Sequence, residues 1–219
     1  MMKKSILVSI LCLLIIIVFS NGNAYASRKL NSTVLKVGFY NPKDVNSGLV
    51  FGFNHGYIID ETVDIGFGAD FFYKSYQKET EIATSVSEGS VVSTTKRKDV
   101  EFNTFILPIM ANMNIKIPIS QQTPAFFVLN GGIGWELMFN SEQNFVEDKK
   151  ESRFYHGFGY QVNAGVMYQI GSRSALLAEL GYNGCKVSSN HKKVEGAPVW
   201  DEVNISGVLL RFGVRIGIL

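Results

Sequence analysis

From Val63 to Tyr73 the chain alternates with period two. Val63, Ile65, Phe67, Ala69, Phe71 and Tyr73 fall on one parity, and Asp64, Gly66, Gly68, Asp70 and Phe72 on the other. A strand turns successive side chains to opposite faces, so such a run reads as a strand lying between two different surroundings. The same rhythm returns three times. Phe127, Leu129, Ile133, Trp135 and Leu137 alternate with Asn130, Gly132, Gly134 and Glu136; Phe158 to Tyr168 alternates with Gly159, Gln161, Asn163, Gly165 and Met167. Val208, Leu210, Phe212, Val214, Ile216 and Ile218 alternate with Leu209, Arg211, Gly213, Arg215 and Gly217. Weaker alternation marks strands near Thr33–Tyr40, Gly48–Ile58, Val100–Ile117 and Ser174–Val187. The expected fold is therefore all-β with eight antiparallel strands, an even number that closes an up-and-down barrel with both ends on one side.

The connections alternate as well. Ile59–Thr62, Pro118–Pro124 and Gly171–Arg173 are short, whereas Asn41–Ser47, Ser75–Asp99, Asn140–Phe154 and Ser188–Val203 are longer. Within the second of these longer connections, the Ser/Thr/Val-rich stretch Ala83–Thr95 could extend its flanking strands as a protruding β-ribbon. A membrane barrel sorts its connections this way, with short periplasmic turns and long external loops, and a soluble sandwich has no reason to. The parity that carries Gly, Asn, Gln and charge then faces the lumen, and the parity rich in Phe, Tyr, Leu, Val and Ile faces lipid. Tyr57 and Tyr168 abut short turns while Tyr73, Trp135 and Tyr182 lie near long loops, as two interfacial girdles would place them.

The N-terminus reads as an export signal. Lys3 and Lys4 precede an apolar run from Ile6 to Phe19, and Ala24-Tyr25-Ala26 supplies a small-x-small cleavage site. The expected division is a cleaved signal over residues 1–26 and a barrel domain over 27–219. Those two lysines belong to the 21 Lys+Arg of the whole chain; without them the cations equal the 19 Asp+Glu, and a basic surface for nucleic acid is not expected. Only Cys185 follows the signal, so no internal disulfide staples the domain.

The segments FNTFILPIMANMNIKIP, AFFVLNGGIGWEL, GFGYQVNAGVMYQIG, ALLAELGYNGC and LLRFGVRIGIL resemble the strands of small outer-membrane β-barrels of the OmpX and OmpA-domain kind. The resemblance spans nearly all of the chain after residue 26 and lies in pattern rather than in a unique motif. It implies an eight-stranded transmembrane β-barrel in the cell outer membrane, inserted by the barrel-assembly machinery, in contact with outer-membrane lipids and lipopolysaccharide, and displaying four loops to a surface ligand or host partner.

Seven charged residues fall on the inward parity: Lys36, Asp64, Asp70, Glu136, Glu179, Arg211 and Arg215. An eight-stranded barrel is just wide enough for side chains to fill, so these charges are expected to pair, with Glu179 reaching Arg211 or Arg215. They form a structural plug or, on the alternative reading, line a small channel. Lys96, Arg97 and Lys98 lie near the outer surface and are candidates for lipopolysaccharide phosphates, although mixed charge in the loops favours plain solvation. His55, His156 and His191 are scattered. His156 and His191, the latter beside Ser188 and Ser189, match no pattern of the lipid A-modifying barrels, so no catalytic residue, metal ligand or cofactor site is assigned and no enzyme activity is expected. A soluble lipocalin-like barrel would need an apolar interior and is the weaker alternative.

Overall fold

The computed structural model describes residues 31–86, 92–190 and 200–217, with side chains for 31–79, 98–189 and 201–217. The expected signal, residues 1–26, lies outside the described residues. The chain runs through β1 (Asn31–Pro42), β2 (Gly48–Ile58), β3 (Val63–Val86), β4 (Val92–Ser120), β5 (Thr123–Asn144), β6 (Lys149–Gly171), β7 (Ser174–Asn190), β8 (Trp200–Asn204) and β9 (Gly207–Gly217).

Each strand through β7 pairs antiparallel with its neighbour in sequence, and β9 pairs with both β7 and β1, so the sheet closes. Along β7, Asn204 lies opposite Lys186 and Gly207 opposite Asn183, in one register. β8 and β9 are thus one stave, and the ring has eight. Ile205 and Ser206 interrupt that stave: the Ser206 hydroxyl accepts from Cys185 N at 3.0 Å and donates to Cys185 O at 3.1 Å. On its other flank β1 ends at Pro42, which has no amide hydrogen to continue the ladder. Lys43 N and Asp44 N take over, donating to Ser206 O and Asn204 O at 2.9 and 3.0 Å.

The register fixes the barrel's shape. Ser32 pairs with Gly56, which pairs with Gly66, and the row continues through Asn112, Gly132, Gln161, Asn183 and Gly207 back to Pro42, ten residues beyond its start. A stagger of that size in eight strands tilts them by roughly 40°.

The periplasmic turns are tight. In the first, Asp60 Oδ1 accepts from Thr62 N, Thr62 Oγ1 and Val63 N, each at 2.7 Å, and these bonds hold its carboxyl below the usual range. The external connections correct the sequence reading. Most of Ser75–Asp99 and of Asn140–Phe154, counted among the longer connections, is strand, as are Ser188–Asn190 and Trp200–Val203: β3 and β4 pair up to Val86↔Val92, and β5 and β6 up to Asn144↔Lys149. Above the membrane both faces of a strand meet water, so the hydrophobic alternation that announces a strand fades while the ladder continues. Asn144 Oδ1 caps the β5–β6 turn by accepting from Val146 N and Glu147 N, and Asp148 there adopts a positive φ of 50°.

The two faces differ as membrane and lumen require. Phe39, Phe51, Phe67, Ile133, Phe158, Leu180 and Phe212 stand outward, each half-exposed or more in the bare chain, while inward positions are buried. The aromatics continue round the outside as a ladder in which Phe71, Phe105, Phe139 and Phe154 follow one another at 4.8–6.3 Å between ring centroids.

Candidate functional site

The lumen is filled in layers. At the periplasmic end Val128, Met167, Ala175 and Leu177 pack together with Val34 and Phe126. At the external end Tyr40, Val50, Phe72, Ile106, Met138, Tyr155, Val187, Ile205 and Leu209 form a larger apolar plug around the Cys185 thiol, roofed by Val45 and Val203. Charge and amides lie between. All seven inward charged residues singled out from the sequence are buried.

Arg211 is the hub. Its Nη1 lies 2.6 Å from Asp70, its Nε 2.7 Å from Glu179, and its Nη2 donates to Gln161 at 3.0 Å. Lys36 also meets Glu179, at 2.9 Å, and Gln161 donates to Asp70 at 3.1 Å. Amides extend the network downward: Asn163 donates to Asn130 and Asn130 to Asn114, both at 2.7 Å. A second centre lies nearer the periplasm, where Asp64 sits 2.8 Å from Arg215 and 3.0 Å from Lys116. Glu179 therefore takes Arg211, its direct cross-strand partner, rather than Arg215, which stands opposite Ala175 and turns to Asp64. Lys116 was not singled out from the sequence, although it shares its parity with Asn112 and Asn114 and the signal was there to read.

Glu136 stands apart from both centres. It accepts from Asn183 at 3.0 Å beneath the external plug and has no cation beside it among the described residues. Asn183 also donates to the Tyr40 hydroxyl, which in turn donates to Ile205 O. The plug is thereby hydrogen-bonded to the polar layer below it.

Other singled-out residues are dispersed. Lys98 is 2.7 Å from Glu101 and lies over the Phe145 ring, 5.6 Å from its centroid. Lys96 and Arg97 are on β4, in register with Glu81 and Thr80, and their side chains lie outside the description. His156 faces outward and stacks on Trp135, while His55, also outward, is hydrogen-bonded to Thr33 at 2.9 Å. Ser188 is the cross-strand partner of His156, and His191 lies outside the described residues. At the β5–β6 tip, Lys149 and Arg153 each lie 2.8 Å from Glu151 and hold its carboxyl down to about 2.

A closed ring with an apolar exterior, aromatic borders and a polar, side-chain-filled interior defines a transmembrane β-barrel, the only sheet form that satisfies its backbone in lipid. Short turns on one side and long hairpins on the other are the arrangement of small outer-membrane barrels. No family model and no curated protein matches the chain. Among solved structures it is similar to Neisserial surface protein A, at 18% identity over 85% of this chain and 96% of that one, with a TM-score of 0.47. It is similar to Ail, the attachment invasion locus protein of Yersinia pestis, at 13% identity over 86% and 99%, with a TM-score of 0.44, in a complex with the heparin analogue sucrose octasulfate. It is also similar to the outer membrane protease OmpT of Escherichia coli, at 7% identity over 91% and 100%, with a TM-score of 0.42. The barrel assignment rests on the chain's own register and faces.

Proposed function

We propose that this chain is a non-conducting outer-membrane barrel, exported by residues 1–26, that holds rigid hairpins above the membrane for binding at the cell surface, with no reaction of its own. The observation that carries this reading is the filled lumen. An ion path would have to cross two apolar layers and a middle layer in which Arg211, Asp70, Glu179 and Lys36 already neutralise one another at 2.6–2.9 Å. Opening that path means breaking buried ion pairs, at a cost of about 3–5 kcal/mol when one partner is lost.

The hairpins support the surface half of the reading. β3 to β6 continue as a four-stranded wall beyond the level at which β2 stops pairing with β3, at Leu49↔Tyr73. A wall tied to the barrel by continuous ladders presents its side chains with little ordering cost on binding. Lipopolysaccharide phosphates belong to this proposal through Lys96 and Arg97, since Lys98 is already held by Glu101.

Planar-bilayer recording of the refolded protein tests the reading. The expected result is no unitary conductance at any voltage that leaves the bilayer intact. Reproducible steps of one size, abolished by a bulkier residue in the lumen, would replace it with the channel reading.

A further inference from the structure

Above the external plug lies a cavity of about 250 Å³, just below the range of roughly 300–1,000 Å³ that pockets for drug-sized ligands occupy and of a size for one small ring. Its floor is Met138 with Val45 and Val203. One wall is the inner face of the β3–β5 hairpins, where the rings of Tyr76 and Phe102 lie 6.3 Å apart at 38°. The facing wall is the β1–β2 loop, carrying Asp44 and Asn46. We infer that this cavity is a binding site for a single sugar ring bearing one carboxylate, the terminal unit of an acidic surface glycan. The inference rests on the surface-binding reading above and gives it a ligand class.

The chemistry of the lining selects the class. Two neighbouring aromatic rings offer a weakly polar platform to the C–H face of a pyranose. Around them stand groups suited to hydroxyls. Thr104 donates to Asn140 Oδ1 at 3.3 Å, which fixes the Asn140 amide and leaves its Nδ2 to donate. Asp44 is fixed likewise, its Oδ2 accepting from Asn204 N at 2.9 Å. Lys74 supplies the acid preference. It is half-buried in the cavity wall and has no hydrogen-bond or ion-pair partner among the described residues, unlike the four cations of the lumen, each of which lies within 3.0 Å of a carboxylate.

Other occupants fit less well. A divalent cation would find one carboxylate and a competing ammonium. An acyl chain would meet charge above the apolar belt. A nucleic-acid strand needs a track of cations, and Lys74 is a single one.

The test uses the full barrel refolded in detergent micelles, with methyl glucuronide and methyl glucoside as probes in saturation-transfer NMR and calorimetric titration. Glucuronide is expected to bind more tightly than glucoside. Lys74→Met should weaken glucuronide about tenfold and leave glucoside unchanged, the signature of one charge-assisted hydrogen bond. Phe102→Ala should weaken both. The unboiled gel shift of each variant shows whether its barrel is intact. Absence of binding by either sugar, or glucuronide binding indifferent to Lys74→Met in an intact barrel, overturns the inference. A sealed barrel that ignores glucuronide refutes this site alone, whereas conductance steps refute the reading on which it rests.

Discussion

Arg211→Leu is expected to destabilise the folded barrel by about 3–5 kcal/mol, the loss measured when one partner of a buried ion pair is removed. The guanidinium joins two carboxylates and an amide, with Asp70 at 2.6 Å, Glu179 at 2.7 Å and Gln161 at 3.0 Å, and is 1% exposed. Without it Glu179 keeps Lys36 at 2.9 Å, so the penalty falls mainly on Asp70, whose remaining partner in this network is Gln161. The double variant Arg211→Leu/Asp70→Asn should therefore regain part of the loss. Arg211→Lys should not, because a single ammonium cannot reach three acceptors with the geometry of a planar fork. Urea unfolding of the refolded protein, followed by tryptophan fluorescence, reads all three. A loss below about 1 kcal/mol for Arg211→Leu would mean that water, not protein, solvates the centre of the lumen.

The second large effect is steric. Gly56 and Gly66 face each other across β2 and β3. A Cβ on Gly66 would run into the His55 carbonyl and the Gly56 Cα, and a Cβ on Gly56 would lie 2.8 Å from the Gly66 Cα. The obstacle is backbone, which cannot swing aside as a side chain can. Gly66→Val should cost at least the roughly 1–3 kcal/mol of core overpacking and shift the protein towards the unfolded band on unboiled gels. Gly131→Val is the matched control. That glycine faces outward, and a Cβ there meets nothing within 4 Å, so the change should stay within about 0.5 kcal/mol or stabilise through strand propensity. Equal losses at both positions would contradict the register.

What the sequence made legible follows from the membrane. Lipid and lumen impose opposite solvents on alternate residues, so period two carried both the strands and the identity of their inward charges, from Lys36 on β1 to Arg215 on β9. The external half was less readable. Above the lipid, alternation lost its cause, and the β5–β6 ribbon read as a loop, while only the Ser/Thr/Val composition of Ala83–Thr95 pointed to the β3–β4 ribbon. The plug was hidden for a related reason. Phe72, Met138 and Tyr155 sit on the inward parity, where the rule of a polar lumen predicts no apolar layer; they fill the mouth because it must exclude water without spare charge to pair. The break at Ile205–Ser206 depends on Pro42, which is distant in sequence and adjacent only once β1 and β9 pair. The cavity walled by Tyr76 and Phe102 depends in the same way on β3 and β4 meeting in register.

The central claim is that the apolar parity faces lipid and the charged parity a closed interior. It is tested most directly by separating inner membrane, outer membrane and periplasm, then comparing boiled and unboiled samples of each on a gel. The protein should appear in the outer-membrane fraction and migrate faster unboiled, as a closed barrel that resists detergent until heated. Recovery in the soluble periplasmic fraction, with no shift on boiling, would mean that the two faces are reversed.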